Sequence, residues 1–181
     1  IGGNTYSYKG QDCRVNELVL GDATLTVNFP GVTSVDSIKL VGAKTYSQAY
    51  KTDATTFSVP NGVYQFSIRE GAMEHTAKLF VVGGAVYNVP MTTLTVNFPG
   101  ITSLDSARLT IGGSSVLSQS YKTDTADFRV FTGLTYDVTL TEGAMSQSGS
   151  ILCDEAAETY DARMTTLTVN FPGITSLDSA R

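Results

Sequence analysis

The chain repeats part of its own sequence at the spacing of a small domain. Residues 91–108 read MTTLTVNFPGITSLDSAR, and residues 164–181 read the same eighteen letters. A diverged copy, TLTVNFPGVTSVDSIKL, lies nearer the N-terminus, so that the matching leucines Leu25, Leu94 and Leu167 are 69 and 73 residues apart. This period exceeds the roughly 20–50 residues of a solenoid repeat and is long enough for a small domain with its own core. We therefore expect a tandem array of domains.

The copies predict two complete repeats between two partial ones. The complete repeats are assigned to residues 24–92 and 93–165. Residues 1–23 match the end of a preceding repeat, and residues 166–181 match the start of a following one. We interpret the chain as a segment of a longer array, cut at both ends without respect to the repeat.

Alternation of apolar and polar residues predicts β-strands along both repeats. In LTVNF, Leu25, Val27 and Phe29 share one face, and the following Pro-Gly ends the strand because proline lacks a ladder donor. Asn61-Gly62, between two alternating runs, predicts a hairpin. No window has helical periodicity with a cap. Seven short strands per repeat predict an all-β fold of tandem, small, antiparallel seven-stranded β-sandwich domains.

A recurrent set of apolar and turn residues carries a family resemblance. With its flanking strands, the set resembles the carboxypeptidase regulatory-like domains, which are transthyretin-like members of the immunoglobulin-like sandwiches. The resemblance covers both complete repeats, and it implies structural or adhesive spacer domains of secreted and surface proteins, without catalysis. The residues are Thr52, Asp53, Phe57, Val59, Gly62, Tyr64, Phe66, Ile68 and Gly71 in the first repeat, and Thr123, Asp124, Phe128, Val130, Gly133, Tyr136, Val138, Leu140 and Gly143 in the second.

Composition limits the partners and the compartment. The net charge is −5 and only 16% of residues are charged, so no basic patch exists to neutralise the phosphates of a nucleic acid. The longest apolar run is too short to cross a bilayer, so membrane insertion is not expected. A threonine-rich, lysine-poor β composition is typical of secreted surface proteins, and we expect an extracellular or cell-surface location.

No set of residues predicts catalysis or a bound cofactor. The only histidine, His75, lies in a predicted exposed turn, where the second repeat has Gln147. A Ser-His-Asp or Cys-His site needs a firmly held histidine, and a zinc site needs three or four nitrogen or sulfur ligands. We therefore expect no enzyme activity, no cofactor and no zinc site.

Recurrent aspartates leave two interpretations open. Carboxylates in the hinges of a β array could bind calcium, but aspartate is also a common turn residue through its bond to the backbone. No D-x-D-x-D cluster is present, and the turn interpretation is favoured. The recurrent residues are Asp36, Asp105 and Asp178 after the first strand of each copy, and Asp53 and Asp124 in the YKTD turn.

The two cysteines also have two interpretations. Cys13 and Cys153 both fall in the predicted penultimate strand of their repeats. Equivalent positions in separate domains are too distant for a bond within one chain. They are therefore either buried free thiols or partners in an intermolecular disulfide between neighbouring copies in an assembly.

Lysine and tyrosine residues raise the questions of an isopeptide bond and of sugar binding. A Lys–Asn isopeptide bond needs a buried lysine beside an asparagine, yet Asn97 has only Lys122 in its repeat, in a predicted exposed turn. Tyrosines could stack on sugars, although tyrosine also fills sandwich cores. The tyrosines that could bind sugars are Tyr6, Tyr8, Tyr46 and Tyr50.

These features favour a non-enzymatic structural protein: an extracellular or cell-surface fibre or appendage built from tandem β-sandwich repeats. The third copy places Leu167, Val169 and Phe171 on one apolar strand face, which could pair with a neighbouring subunit by strand addition. Self-association, or contact with other repeats of the same protein, is the expected partnership. The alternative is an adhesin or a carbohydrate-binding accessory module of a secreted protein, with a glycan or host-surface ligand.

Overall fold

The computed structural model describes residues 5–8, 11–14, 21–165, 170–173 and 176. Every regular element in these ranges is a β-strand. An antiparallel hairpin of β1 (Thr5–Tyr8) and β2 (Gln11–Arg14) comes first. Two β-sandwiches follow, one after the other along the chain.

The first sandwich has seven strands in two sheets. Its strands are β3 (Asp22–Phe29), β4 (Ser37–Val41), β5 (Thr45–Gln48), β6 (Asp53–Pro60), β7 (Gly62–Glu70), β8 (Met73–Val81) and β9 (Gly84–Asn88). β6–β3–β9 form a three-stranded sheet, and β5–β4–β7–β8 form a four-stranded one.

The second sandwich repeats this topology. Its strands are β10 (Met91–Asn97), β11 (Ser106–Ile111), β12 (Ser114–Gln119), β13 (Thr125–Phe131), β14 (Leu134–Glu142), β15 (Met145–Cys153) and β16 (Ala157–Asp161). β13–β10–β16 form the three-stranded sheet, and β12–β11–β14–β15 form the four-stranded one. The predicted fold class, tandem seven-stranded β-sandwich domains, is confirmed.

One strand pair in each sandwich runs parallel, which the expectation of antiparallel sheets did not include. β3 pairs with β9, and β10 with β16, in parallel register. Because the seven strands alternate in direction, the first and the seventh point the same way. They are neighbours in the three-stranded sheet, so their pairing must be parallel.

The hairpin predicted at Asn61-Gly62 is wrong. β6 and β7, which flank Asn61, belong to different sheets, so the chain crosses between layers here. The Asn61 side chain holds this crossing: its Oδ1 accepts from the Gly83 N–H at 2.6 Å, and its Nδ2 donates to the Gly21 carbonyl at 2.9 Å. The local turn signal indicates that the chain reverses, but not which strand each arm will pair with.

The predicted strand alternation places the core correctly. Leu25, Val27 and Phe29 are buried, as are their second-sandwich counterparts. Tyr64 and Tyr136 also point inward, and their hydroxyls donate to backbone carbonyls at 2.6 and 2.8 Å, respectively. Burial raises the pKa of Tyr136, with smaller effects from neighbouring groups. These bonds allow a polar atom to lie in each core without an unpaired donor.

Candidate functional site

The residues that recur in sequence gather at one end of each sandwich. Three connections meet there, because each follows a strand that runs toward that end. We call residues 30–36, 49–53 and 70–73 the first cap, and residues 99–105, 120–124 and 142–145 the second cap. The two caps share the sequences Pro-Gly, Tyr-Lys-Thr-Asp and Glu-Gly-Ala-Met.

An aspartate fixes the centre of each cap. Asp53 Oδ1 accepts a hydrogen bond from the Gly31 N–H at 2.8 Å, and Asp124 Oδ1 accepts one from Gly100 at 2.8 Å. Both aspartates have left-handed backbones, with φ of 60° and 59°. Aspartate tolerates this conformation better than most residues. The carboxylates therefore hold the Phe-Pro-Gly loop against the YKTD turn.

A second carboxylate pair closes the other side of the first cap. Asp36 Oδ2 accepts from the Gly71 N–H at 2.9 Å, and the Asp36 N–H donates to Glu70 Oε2 at 3.2 Å. Burial raises the pKa of Glu70, the nearby Asp36 charge raises it further, and the backbone hydrogen bond opposes both. Asp105, Glu142 and Gly143 make the same bonds in the second cap, at 2.8 and 3.0 Å.

The cap aspartates thus have structural partners in the backbone. Asp36, Asp53, Asp105 and Asp124 all accept from glycine N–H groups, as the turn interpretation expects. Asp178 lies outside the described residues. Within the described ranges, no three His, Cys, Asp or Glu side chains are grouped closely enough to hold a metal ion.

Each cap presents one exposed tyrosine on a strained backbone. Tyr50 is 81% exposed with φ of 54°, and Tyr121 is 79% exposed with φ of 55°. Their N–H groups donate to the carbonyls of Val35 and Leu104, each at 2.7 Å. A left-handed conformation costs a non-glycine residue about 1–2 kcal/mol. Strain kept at an exposed aromatic side chain in both repeats points to a use for that side chain.

The structure separates the tyrosines that the sequence grouped as sugar-stacking candidates. Tyr46 is half-buried and packs edge-on against Tyr64, with ring centroids 6.2 Å apart, whereas Tyr50 is exposed in the first cap. Tyr6 and Tyr8 both lie in β1. Tyr121, which the sequence reasoning passed over, is the counterpart of Tyr50; its signal was the repeated SQ-x-YKTD string.

His75 is not the exposed turn residue that the sequence predicted. It lies within β8, is half-buried, and makes a 2.7 Å hydrogen bond between its Nε2 and the Tyr87 hydroxyl. The two rings stack with centroids 6.2 Å apart, and burial lowers the pKa of His75. The prediction failed because β8 begins at Met73, inside the stretch interpreted as a turn. His75 closes the open edge between the two sheets.

The second-sandwich cysteine is enclosed in the core. Cys153 ends β15 and is fully buried, and burial raises the pKa of its thiol to about 11, assisted by the charges of Glu158 and Asp154. This position favours the free-thiol alternative at Cys153. Cys13 lies in β2, opposite Tyr6 in the hairpin register.

Other candidate residues occupy separate surfaces. Asn97 donates to Asp161 Oδ1 at 2.7 Å, whereas Lys122 is exposed in the second cap, so the structure does not bring the two together. Of the strand-addition residues, Phe171 is 39% exposed. Leu167 and Val169 lie outside the described residues.

The first cap meets the second sandwich directly. Only Val89 and Pro90 separate β9 from β10, and the cap lies against an edge formed by β12 and β13, which we call the lateral seam. Arg129 of the seam reaches across the joint, because its Nε donates to the Pro30 carbonyl at 3.2 Å. Its Nη1 donates to Thr93 Oγ1 of its own sandwich at 2.8 Å. A cleft of about 240 Å³ remains between cap and seam.

In the part of the chain that the structure describes, no helix is long and apolar enough to span a membrane. No protein-family model matches the sequence, and no curated protein matches it either. Among solved structures, the fold is similar to that of the Bacillus anthracis TIE protein, at 10% sequence identity and a TM-score of 0.33. The alignment covers 78% of this chain and 33% of that one, so the chain spans about a third of the length of this neighbour.

Proposed function

We propose that the chain is a structural part of an extracellular or cell-surface fibre or appendage, in which tandem β-sandwiches act as rigid spacers. The observation that carries this proposal is the direct connection between the sandwiches. Two residues separate their strands, and both residues are bound into the folded units.

The connection has little free backbone to act as a hinge. The Val89 N–H donates to the Asn28 carbonyl of the first sandwich at 2.9 Å. The Pro90 carbonyl accepts from the Thr132 N–H of the second sandwich at 3.1 Å. Val89 is also buried, and proline restricts the backbone further. A fibre needs joints that hold an angle, and this joint has the features to do so.

The joint can be tested by lengthening it. Insertion of Gly-Gly-Ser-Gly-Gly between Val89 and Pro90 should broaden the distribution of interdomain distances, measured by small-angle X-ray scattering and by spin labels, one on each sandwich. The same insertion at the exposed Gly143-Ala144 turn is the control, because that turn lies within the second sandwich, at the end away from the joint. A wild-type distribution as broad as that of the joint insertion would contradict the rigid-spacer proposal.

The location can be tested separately on cells that make the protein. Antibodies raised against the chain should label intact, unpermeabilised cells, with gold particles along surface fibres in electron micrographs. Labelling that appears only after permeabilisation would contradict the proposed location.

We also propose that the repeats are distant members of the carboxypeptidase regulatory-like class. The support is the seven-strand arrangement together with the Phe-x-Val-x-x-Gly-x-Tyr run, whose Tyr64 closes the core by bonding to Pro60. That class implies spacer or adhesive roles without catalysis or a cofactor, and we keep both absences as predictions. An experimental structure whose strand order differed from that of this class would contradict the relationship.

Assembly would use contacts between repeats, with strand addition through Leu167, Val169 and Phe171 as one route. An edge strand with an apolar face can complete a neighbouring sheet. Replacing Phe171 by aspartate should lower the assembled fraction in sedimentation velocity, and replacing its exposed neighbour Pro172 by alanine serves as the control. If both variants assembled equally well, the proposal of strand addition through Phe171 would be contradicted.

A second candidate function, adhesion to a glycan, is favoured by Tyr50 and Tyr121. Both rings are exposed, are held by ordered backbone, and recur at the same place in each repeat. Two stacking platforms on one chain would bind a repeating polysaccharide with gain from multivalency. Glycan-array binding that is lost in Tyr50→Ala/Tyr121→Ala, and kept in the half-buried control Tyr46→Phe, would support this function. If the wild-type chain bound no glycan on the array, the proposed adhesion to a glycan would be contradicted.

A further inference from the structure

The same methionine is buried in one cap and exposed in the other. Met73 of the first cap is 1% exposed, whereas Met145, its counterpart in the second cap, is 67% exposed. Both residues begin the equivalent strand and have the same register. The difference therefore comes from what lies beyond the cap.

The lateral seam is what covers the first cap. Met73 lines the cleft together with Leu117 and Phe128 of the second sandwich. A Cβ added to Gly31 would lie 2.8 Å from Arg129 Cγ, and one added to Gly71 would lie 3.2 Å from the Ser115 carbonyl oxygen. The seam thus packs directly against the backbone of the first cap.

The second cap has the same shape without this cover. Gly100 has φ of 88°, against 87° for Gly31, and Gly143 has φ of 55°, against 56° for Gly71. A Cβ added to Gly100 or Gly143 would meet nothing within 4 Å among the described residues. Ile101 is half-exposed, whereas its counterpart Val32 is buried. The second cap therefore has the backbone shape of the first and leaves the apolar side chain of Met145 uncovered.

We propose that the second cap docks the lateral seam of a further sandwich of the same type, entered through residues 164–181. This rests on the proposed function as a tandem array. Two observations select this occupant. The existing joint shows a seam on an equivalent cap, and residues 164–181 repeat the eighteen residues that begin the second sandwich. The chain also leaves both sandwiches in the same way, because the Ala162 N–H donates to the Asn97 carbonyl at 2.9 Å, as the Val89 N–H does to the Asn28 carbonyl. The same exit and the same first strands bring a seam to the same place.

The duplication supplies a direct experiment. Adding a second copy of residues 109–163 after Arg181 gives a chain in which a complete third sandwich follows Met164, since residues 164–181 already equal residues 91–108. The added copy carries leucine at its equivalent of Met145, so that the Met145 peptide of the second cap is measured alone. Mild hydrogen peroxide followed by peptide mass spectrometry then measures the oxidation rate of each methionine. In the 181-residue chain, Met145 and Met164 should oxidise quickly and Met73 slowly.

Two methionines separate folding from docking. Met164 takes the place of buried Met91 in the lengthened chain, so its protection reports that the third sandwich has folded. The proposal predicts that Met145 also becomes as slow to oxidise as Met73. Protected Met164 with fast-reacting Met145 would overturn the docking proposal and would leave the rigid joint at Val89–Pro90 untouched.

A variant of the 181-residue chain tests the premise without the added sandwich. Arg129→Glu places a carboxylate opposite the Pro30 carbonyl oxygen, so the seam should release the first cap and Met73 should oxidise at a rate approaching that of Met145. Met91 should stay slow, because it is buried beside Phe131 within the second sandwich. Unchanged protection of Met73 would overturn the role of the seam. Protection of Met145 that rises with the concentration of the 181-residue chain would assign the cap to a second copy and would also overturn the proposal.

Discussion

Asp53 and Asp124 make the same contacts in two repeats, and they explain why the YKTD turn recurs. Each accepts a hydrogen bond from a loop glycine and adopts a left-handed backbone that few side chains tolerate. Tyr50 and Tyr121 adopt the same left-handed backbone, but their side chains do not bond to a loop glycine as the aspartates do. At the scale of single residues, the caps therefore combine stabilising aspartates with tyrosines that cost stability.

Replacing Asp124 by alanine should lower the free energy of unfolding of the second sandwich by about 1–3 kcal/mol, because the Gly100 N–H loses a charged acceptor. Asp124→Asn keeps an acceptor oxygen and tolerates the left-handed backbone, so it should cost less than half as much. Urea unfolding followed by circular dichroism measures both. Equal losses would mean that the charge, rather than the acceptor geometry, stabilises the turn.

Tyr50→Gly should leave the first sandwich more stable than Tyr50→Ala by about 1 kcal/mol, because glycine removes the strain of the left-handed backbone and the exposed ring has little packing to lose. Thermal unfolding of the two variants measures the difference. If alanine is equally stable, the strain at this position is negligible, and it no longer supports a retained function for the ring.

The stability of the first sandwich should fall as the solution is acidified through the range in which free histidine gains a proton, about pH 6.5. Burial lowers the pKa of His75, so the unfolded chain binds the proton more readily than the folded one. The stability that neutral His75 contributes is complete at pH values above its pKa in the unfolded chain, and it is lost as the pH falls toward its lower pKa in the folded chain. His75→Gln, which installs the residue of the second repeat, should flatten the difference in urea midpoint between about pH 7.5 and 5.5. Identical pH profiles of variant and wild type would contradict this.

At the scale of strands, β15 and β16 meet at a contact that the first sandwich lacks. Gly149 of β15 lies directly under the Tyr160 hydroxyl of β16, with no room for a Cβ, whereas the equivalent residue of β8 is Ala77. The open edge of the sandwich is thus filled by a ring over a glycine in one repeat and by the His75–Tyr87 pair in the other. The two repeats close the same edge with different chemistry.

Gly149→Ala should destabilise the second sandwich by about 1–3 kcal/mol, because the added methyl group overlaps the Tyr160 ring. In a Tyr160→Ala background the same change should cost much less, since the ring is gone. Chemical denaturation of the four chains gives the coupling energy. An unchanged cost in the second background would place the strain in the backbone.

Strand positions could be predicted from sequence because the Leu25–Val27–Phe29 alternation is a local signal, and the core follows from it. Pairing could not be predicted at Asn61, where the turn signal carries no information about which sheet accepts each strand. His75 was misplaced because glycine and charged residues near a strand end resemble a turn. The positive φ of Tyr50 has no sequence signature, and only its recurrence at Tyr121 gave a hint.

Over the whole molecule, two sandwiches stand in series with a short connector and an arginine across the joint. Each encloses a core between its own two sheets, and apolar packing continues through the joint where Met73 lies. In such a chain, we expect each sandwich to open by itself more often than the two open together. The repeat supplies matched positions with which to test this.

In a Cys13→Ser background, labelling of Cys153 by a thiol reagent should report opening of the second sandwich alone. Leu109→Ala, in that core, should speed labelling by at least about 30-fold, which corresponds to a loss of about 2 kcal/mol or more. The matched change Leu40→Ala, in the first core, should alter the labelling rate by far less. Equal acceleration by both would mean that the two sandwiches unfold as one unit.

The placement of Gly100 within the duplicated segment affects how such an array can change in length. Genetic exchange between the segments that encode the two identical copies would add or remove the 73 residues from Met91 to Arg163. Each unit gained would carry copies of both Arg129, which docks on the preceding cap, and Gly100, on which the arginine of the following unit would dock. Every new joint would therefore have matching surfaces from the start. A chain of this design can lengthen or shorten over generations without having to evolve a new interface.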